Sequence, residues 1–374
     1  MESTVRIALI GFGAMGQNYA RMLYAGMVPH MRLTVVCCRN PAGQKLLSEQ
    51  FPGVAVYPDV RDLEDHGTEF DAAIIVTPHN THVAFATRMV NLGKHVLLDK
   101  PADLVAGKVE DLVRLCRDRN KAFGMIFNNR RLPAFRTARE ILQSGALGTL
   151  HRAVWVCNSW YRSPAYHRSA AWRSSWAGEG GGLLINQNVH YLDMWQWLFG
   201  MPDRLSADLQ FGRYNDFVVD DGADIRFSYD SGFHGTMVSA SGEAPGVNRL
   251  EIWGSKGRLI VEDGAKLYFD ENEVSTEEFA QTNQIPFGTI PHTLREIGLD
   301  NCPNPYLEVF ENFARHILYG DELYANGTDG FRTAALTNAA YVSGWEGCRV
   351  TLPVEEQRYL DGLTERIKME QEGK

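Results

Sequence analysis

The stretch VRIALIGFGAMGQNYARML, residues 5–23, runs from an apolar segment of strand length into a helical pattern through three glycines spaced G-x-G-x-x-G. A strand turning sharply into a helix at Gly11, Gly13 and Gly16 opens a doubly wound α/β domain. In that reading Gly11 makes the tight turn, Gly13 lets backbone approach a pyrophosphate, and Gly16 lets the helix lie close to the strand. The unpaired N–H groups and positive dipole end of the helix then offer an anion site. The spacing alone is a weak signal; its place between a strand and a helix points to dinucleotide binding.

The rest of the first third has the same texture. LTVVCC, AAIIV, HVLL and KAFGMIF follow as strand-like runs, with helical patterns beginning near residues 14, 42, 80 and 103. Such alternation implies βαβ units around a parallel sheet. After residue 145 the helices thin out, and HRAVWVCN, GADIRFSY, GFHGTMVSA, RLEIWG and GRLIVED are separated by turn residues, as in antiparallel strands. The chain therefore reads as a Rossmann domain over 1–126 and an α+β domain over 127–374. Residues 271–304, polar and Pro-bearing, are expected as a long surface excursion, and the chain is helical from about residue 331.

Length and charge agree with this division. At 374 residues the chain is long for one core. A net charge of -9 argues against a polyanionic partner, so no nucleic acid is expected. The N-terminus MESTVRIALIGFG has no basic n-region, and no apolar run approaches the about 20 residues needed to span a bilayer, so a cytoplasmic chain with no membrane partner is expected. Cysteines 37, 38, 116, 157, 302 and 348 show no C-x-x-C spacing and read as reduced, structural thiols. No metal-ligand motif is present, and none is expected.

Cofactor choice is read at the end of the second strand, VVCCRNPAG (residues 35–43). An acid there would bind a ribose 2′-hydroxyl, but no Asp or Glu occurs between Glu2 and Glu49. Cys38 holds the usual acid position and Arg39 follows it, a planar cation suited to a 2′-phosphate. NADP is favoured over NAD. In KHVLLDKPADL, residues 94–104, a strand delivers Asp99, Lys100 and Pro101 at its carboxyl end, where parallel sheets bind ligands.

These features, with FNNR at 127–130, SGALGTL at 144–150, WR at 172–173 and GGGLLINQNVHYLDMWQWLFG at 180–200, resemble the Gfo/Idh/MocA oxidoreductase family in motif order over most of the chain. The resemblance implies a second domain with a large open, mainly antiparallel sheet, and hydride exchange between a nicotinamide and a carbohydrate-like alcohol. It carries catalytic roles onto Lys100 and His190. It extends the cofactor site from Gly11, Gly13, Gly16, Cys38 and Arg39 to Phe12, Ala14, Met15, Thr77, Pro78, Asn80, His82, Asp99, Lys100 and Asn128. Many relatives have Asp where this chain has Asn186, which excludes a proton relay through residue 186 but leaves it able to orient substrate.

On one helix after the glycines, Asn186, His190 and Asp193 share a stripe, expected to line a cleft while Leu184, Leu192, Trp195 and Leu198 hold the core. Alcohol oxidation needs a proton acceptor with a pKa near neutrality, met by His190, and a cation for the developing alkoxide, met by Lys100. The segment 158–182 is rich in Trp, Tyr, Arg and Ser and suits a sugar. Tyr161, His167, Trp172 and Arg173 are its candidate substrate contacts, with Arg130, Asn186 and Asp193 beside them. Arg162, Arg168 and Arg173 would suit a carboxylate or phosphate on the substrate. Three functions fit: a sugar or cyclitol dehydrogenase, a glycoside-cleaving enzyme with retained NAD, and a non-catalytic sugar sensor. Imperfect alternation in the late strands leaves apolar residues on both faces, from which a homodimer or homotetramer through the C-terminal sheet is expected.

Overall fold

From Val5 the chain builds strand and helix in turn. In the computed structural model, which describes residues 3–170 and 172–373, β1 (Val5–Ile10) leads to α1 (Ala14–Tyr24), β2 (Met31–Cys37), α2 (Pro41–Gln50), β3 (Ala55–Tyr57) and β4 (Ala72–Ile75). α3 (His82–Asn91), β5 (His95–Leu98), α4 (Ala106–Asp118) and β6 (Phe123–Met125) follow. The six strands form a parallel sheet in the order β3-β2-β1-β4-β5-β6, which reverses beside β1, the crevice where such sheets take ligands. Ile7, Leu9, Val36, Ile74 and Leu97 are buried within it, as strands covered on both faces require.

The chain continues with α5 (Pro133–Gln143), β7 (Leu150–Cys157), α6 (Pro164–His167), α7 (Leu183–Asn186) and α8 (Asn188–Phe199). Then come β8 (Arg204–Phe211), β9 (Asp220–Ser228), β10 (His234–Ala240), β11 (Asn248–Gly254), β12 (Gly257–Glu262), β13 (Lys266–Asn272), α9 (Thr276–Thr282) and β14 (His292–Glu296). The last elements are α10 (Pro305–Tyr319), α11 (Gly327–Glu346), β15 (Val350–Thr351) and α12 (Glu356–Gln371). β7 to β15 make a nine-stranded sheet, order β14-β13-β12-β11-β7-β10-β9-β8-β15, antiparallel except for β10 beside β7.

One face of this sheet is dry. Trp155, Met237, Ile225, Leu250 and Leu259 are buried; Trp155 meets Phe135 of α5 and Trp195 of α8 stacks on Phe227. The opposite face carries half-buried Val154, Val156, Thr236 and Val238 at its centre. Arg249 with Glu251 and Glu262, and Arg258 with Glu251 and Asp270, form ion pairs at its flank.

Two units emerge: residues 1–128 with 304–334, and 129–303 with 335–374. Sequence reading assigned 304–334 to the second domain. The segment belongs to the first because α10 is amphipathic toward that core: Val309, Phe310, Phe313 and Ala314 join its buried cluster, and Phe310 packs edge-on to Tyr19. The excursion over 271–304 contains α9 and an edge strand, β14, paired to β13. It stays at the surface because all five residues of β14 are exposed. Cys37, Cys38, Cys116, Cys157 and Cys348 are free thiols.

Candidate active site

In the first unit, Gly11 has φ +105°, and a Cβ there would lie 2.5 Å from the Val76 carbonyl oxygen. A Cβ on Gly16 would lie 2.3 Å from the Gly11 carbonyl, whereas one on Gly13 would meet nothing within 4 Å. Two glycines thus close the turn and the third leaves backbone open. Gly13 caps α1 with no side-chain hydrogen bond, and no acid stands in the first turn, so the N–H groups at Ala14, Met15 and Gly16 keep their dipole available for an anion. The Phe12 ring points into the core, edge-on to Phe51 at 6.1 Å, so only its backbone belongs to the loop. This cradle fits a dinucleotide pyrophosphate.

At the end of β2, Cys38 is 5% exposed, and its Sγ lies 2.7 Å from where a Cβ on Gly43 would stand. The thiol is turned into the α2 turn, which Asn40 caps by accepting from the Ala42 N–H at 3.1 Å. The side chain left at the surface is Arg39. The loop after β4 is internally bonded, Thr77 to Thr81 at 2.7 Å and the Thr81 hydroxyl to the Pro78 carbonyl at 2.6 Å, with Asn80 exposed beside them.

His82, expected at the cofactor, is instead 1% exposed, with its ring nitrogens 2.7 Å from the carbonyls of Pro101 and Thr77. Both ring nitrogens are taken up, so the residue ties the β4 and β5 loops together from behind. At the end of β5 the Asp99 carboxylate accepts from the Lys100 N–H at 2.9 Å and lies 3.5 Å from the Tyr19 hydroxyl. Burial pushes the Asp99 carboxyl up, and the Lys100 charge pulls it back. Asn128, at the end of this unit, is 8% exposed.

In the second unit the glycine-rich turn has a different purpose. The Asp220 carboxylate at the start of β9 accepts from the N–H groups of Gly182 at 2.8 Å and Leu184 at 2.7 Å, and from the Tyr341 hydroxyl at 2.8 Å. Gly181 has φ +144°, and a Cβ on it would fall 1.9 Å from that hydroxyl. The glycines therefore let a helix start against a buried carboxylate. The helix is not continuous: α7 ends at Asn186 and α8 begins at Asn188.

The expected accessible stripe of Asn186, His190 and Asp193 is also corrected. From Glu179 to Gln196, Asn186 alone is not buried. His190 is 8% exposed and stands edge-on to Trp160 at 5.6 Å. Arg130 and Asp193, expected against substrate, bind each other in a two-pronged pair of 2.9 and 2.6 Å, with side chains 3% and 1% exposed. A charge so buried is held by its partner, and loss of either one costs about 3–5 kcal/mol. The pair fastens the turn at 128–131 to α8.

The aromatic segment before the helix is anchored rather than a free lid. Trp176 is 2% exposed against Tyr341 and Trp345, and the Glu370 carboxylate of α12 accepts from the N–H groups of Trp176 and Ala177 at 3.0 Å each. His167 packs on Phe217 and contacts Ser174 Oγ at 2.6 Å through Nδ1, while its buried Nε2 has no hydrogen-bond partner among the described residues. Burial, then the nearby Arg173 charge, lowers the His167 pKa. Arg173 lies over Tyr166, donates to its hydroxyl at 2.7 Å, and stands 3.6 Å from Glu179. Trp172 lies under the same guanidinium at 4.8 Å. Arg162 lies over Tyr166, Arg168 is exposed, and Tyr161 is 52% exposed.

Two side chains stand out that sequence reasoning missed. Glu179 is 2% exposed, its Oε2 accepting from the Ser174 N–H at 2.6 Å and its Oε1 from Asn186 Nδ2. Tyr166 receives Arg173 and, at 3.4 Å, Gln187. The Trp/Tyr/Arg richness of 158–182 pointed to the region but gave no sign that its one acid is buried. Among the described residues no group of three or more His, Cys, Asp or Glu could hold a metal ion, and no helix is long and apolar enough to cross a membrane.

The fold and cradle define an NAD-binding oxidoreductase. Residues 5–127 match the oxidoreductase family with an NAD-binding Rossmann fold, and residues 135–260 match the GFO/IDH/MocA C-terminal domain. The chain belongs to the Gfo/Idh/MocA family. It is 23% identical to inositol 2-dehydrogenase of Rhizobium meliloti (strain 1021) over 93% of this chain and 99% of that one. Levoglucosan dehydrogenase of Pseudarthrobacter phenanthrenivorans is 22% identical over 93% and 98%. Among solved structures, the WlbA dehydrogenase of Bordetella pertussis with NADH and UDP-GlcNAcA superposes with a TM-score of 0.78 at 21% identity, covering 94% of this chain and 100% of that chain.

Proposed function

We propose that this chain is an NAD(P)-dependent dehydrogenase that exchanges hydride with a secondary alcohol of a sugar, sugar derivative or cyclitol, with Lys100 and His190 at the reacting alcohol. The observation that carries the reading is the carboxyl edge of the parallel sheet. There an uncapped, acid-free helix start at Gly13 and a lysine whose backbone is pinned by Asp99 belong to the same unit. When bound, the nicotinamide supplies a two-electron acceptor for the carbon-bound hydrogen. The Lys100 ammonium stabilises negative charge growing on the alcohol oxygen, and His190 accepts the hydroxyl proton. Asn186 and His167 orient neighbouring hydroxyls by hydrogen bonds, with Tyr161 and Trp172 as apolar faces for the ring. Arg130 and Asp193 position α8 and do not touch substrate.

The names of the relatives, an inositol and a levoglucosan dehydrogenase, support a neutral polyol. Exposed Arg39 supports NADP over NAD. The half-buried valine patch on the open sheet face supports assembly as a homodimer or homotetramer, and the sequence features support a cytoplasmic chain.

Screening cyclitols and aldoses for NAD(P)H formation tests the reaction. Lys100→Ala and His190→Ala are expected to remove most turnover while the protein still binds cofactor, as read by fluorescence titration. Full rates in both variants would overturn the assignment. Glycoside cleavage without net NAD(P)H would point instead to a hydrolytic enzyme with retained cofactor.

A further inference from the structure

The polar residue at which the α7–α8 segment reaches accessible surface is an amide. Asn186 is half-buried, while every other residue from Glu179 to Gln196 is buried. Its Nδ2 donates to the Oε1 of Glu179. The Glu179 carboxylate is itself fixed: Oε2 takes the Ser174 N–H at 2.6 Å, and Arg173 Nη1 stands 3.6 Å from Oε1. A carboxylate only accepts hydrogen bonds, so it reads the two ends of the amide differently. With Nδ2 drawn onto Glu179, Oδ1 has to point away from it.

We propose that Glu179 is a positioning residue that locks the Asn186 amide with Oδ1 presented as a hydrogen-bond acceptor for a substrate hydroxyl. The buried acid thereby gives position 186 a defined hydrogen-bond acceptor. The proposal rests on the dehydrogenase reading for the identity of the donor; the lock itself rests on the Glu179–Asn186 contact alone. Arg173 and Glu179 carry opposite charges and stand 3.6 Å apart, so the Arg173 charge is partly offset within the protein. That narrows the earlier expectation for Arg173, whose guanidinium is engaged by Glu179 and Tyr166.

The test is a charge swap. In Glu179→Gln the amide oxygen is taken by the Ser174 N–H and the NH2 faces position 186, so the Asn186 amide is drawn to invert, and kcat is expected to fall by about 10- to 100-fold with the KM for NAD(P) unchanged. In Asn186→Asp two carboxylates share one site and repel, so both kcat and the thermal midpoint should fall. The double variant Glu179→Gln/Asn186→Asp puts the carboxylate at 186 and the amide behind it, where it can accept from Ser174 N–H and donate to position 186. It is expected to recover kcat to within about tenfold of the parent and to recover the midpoint.

Wild-type kcat in Glu179→Gln, or a double variant no faster than the slower single, would overturn the proposal. Thermal midpoints judge the lock without any turnover. Additive midpoints reject it, whereas recovery in the double variant supports it even if no polyol is oxidised by the parent, in which case only the dehydrogenase reading falls.

Discussion

Arg39 shows how much a single exposed side chain can decide. It stands at the tip of the turn after β2, with the neutral Cys38 folded inward beside it and, among the described residues, no ion pair of its own. A 2′-phosphate offers that guanidinium a charge-assisted bond that a 2′-hydroxyl does not. Arg39→Ala is expected to weaken NADP binding by about 1–3 kcal/mol and NAD by far less, as read by titration calorimetry. Equal small losses for both cofactors would leave Arg39 as a solvated surface residue. Residue types at this scale were legible where the backbone needs one residue type, as at Gly11 and Gly16 of the first turn. They were illegible where partners come from far along the chain. Arg130 and Asp193 are 63 positions apart and consume each other's charge. His82 presents the ring of a ligand-binding residue but spends both nitrogens on the carbonyls of Thr77 and Pro101. Nothing adjacent to Glu179 in the sequence announces that it is buried.

At the level of elements, α7 depends on a strand that follows it by more than thirty residues. A helix start leaves N–H groups unpaired, and here no local side chain caps them. Asp220 supplies the acceptors instead, at 2.8 and 2.7 Å, and is held by Tyr341 of α11. Burial pushes its carboxyl up, while the Leu184 N–H, the Tyr341 hydroxyl and the Gly182 N–H pull it back. Hydrogen bonds to a charged group are worth about 1.5–3 kcal/mol each, so Asp220→Ala is expected to cost at least about 3 kcal/mol in denaturant unfolding and to lower turnover as Asn186 loses its anchorage. A loss under about 1 kcal/mol would show that the helix start is held by other means. The helix was visible in the sequence because Leu, Trp and Met recur after the glycines. Its break at Gln187 was not, because no proline or glycine marks it. The change comes from hydrogen bonding: the His190 N–H donates to the Gln187 carbonyl, three residues back, at 3.2 Å. The edge strand β14 was likewise hidden, since an exposed strand shows no alternation of apolar residues to read.

For the molecule as a whole, the two-part organisation and the character of each sheet follow from the change in texture near residue 145. The open face of the nine-stranded sheet is less apolar than the strand texts suggested, because its flanks are ion-paired arginines and acids around a small valine centre. Such a patch suits an interface with a dry middle and a polar rim. Light scattering at micromolar concentration is expected to give a dimer or tetramer mass, and a monomer mass would sink that expectation. What the sequence did not disclose is the path of the chain. Periodicity identifies α10 as amphipathic but does not say which core its apolar side meets. That side lies on the first unit's cluster through Phe310 and Phe313, and the pairing has an order in time. On the ribosome, the strands and helices of residues 5–125 emerge first, yet Tyr19 and its neighbours stay uncovered until β7 to β14 of the second sheet have been made and residues 305–319 leave the exit tunnel. The nucleotide-binding half of this chain is begun first and finished late, and the growing chain must keep its unfinished apolar surface from other chains throughout that interval.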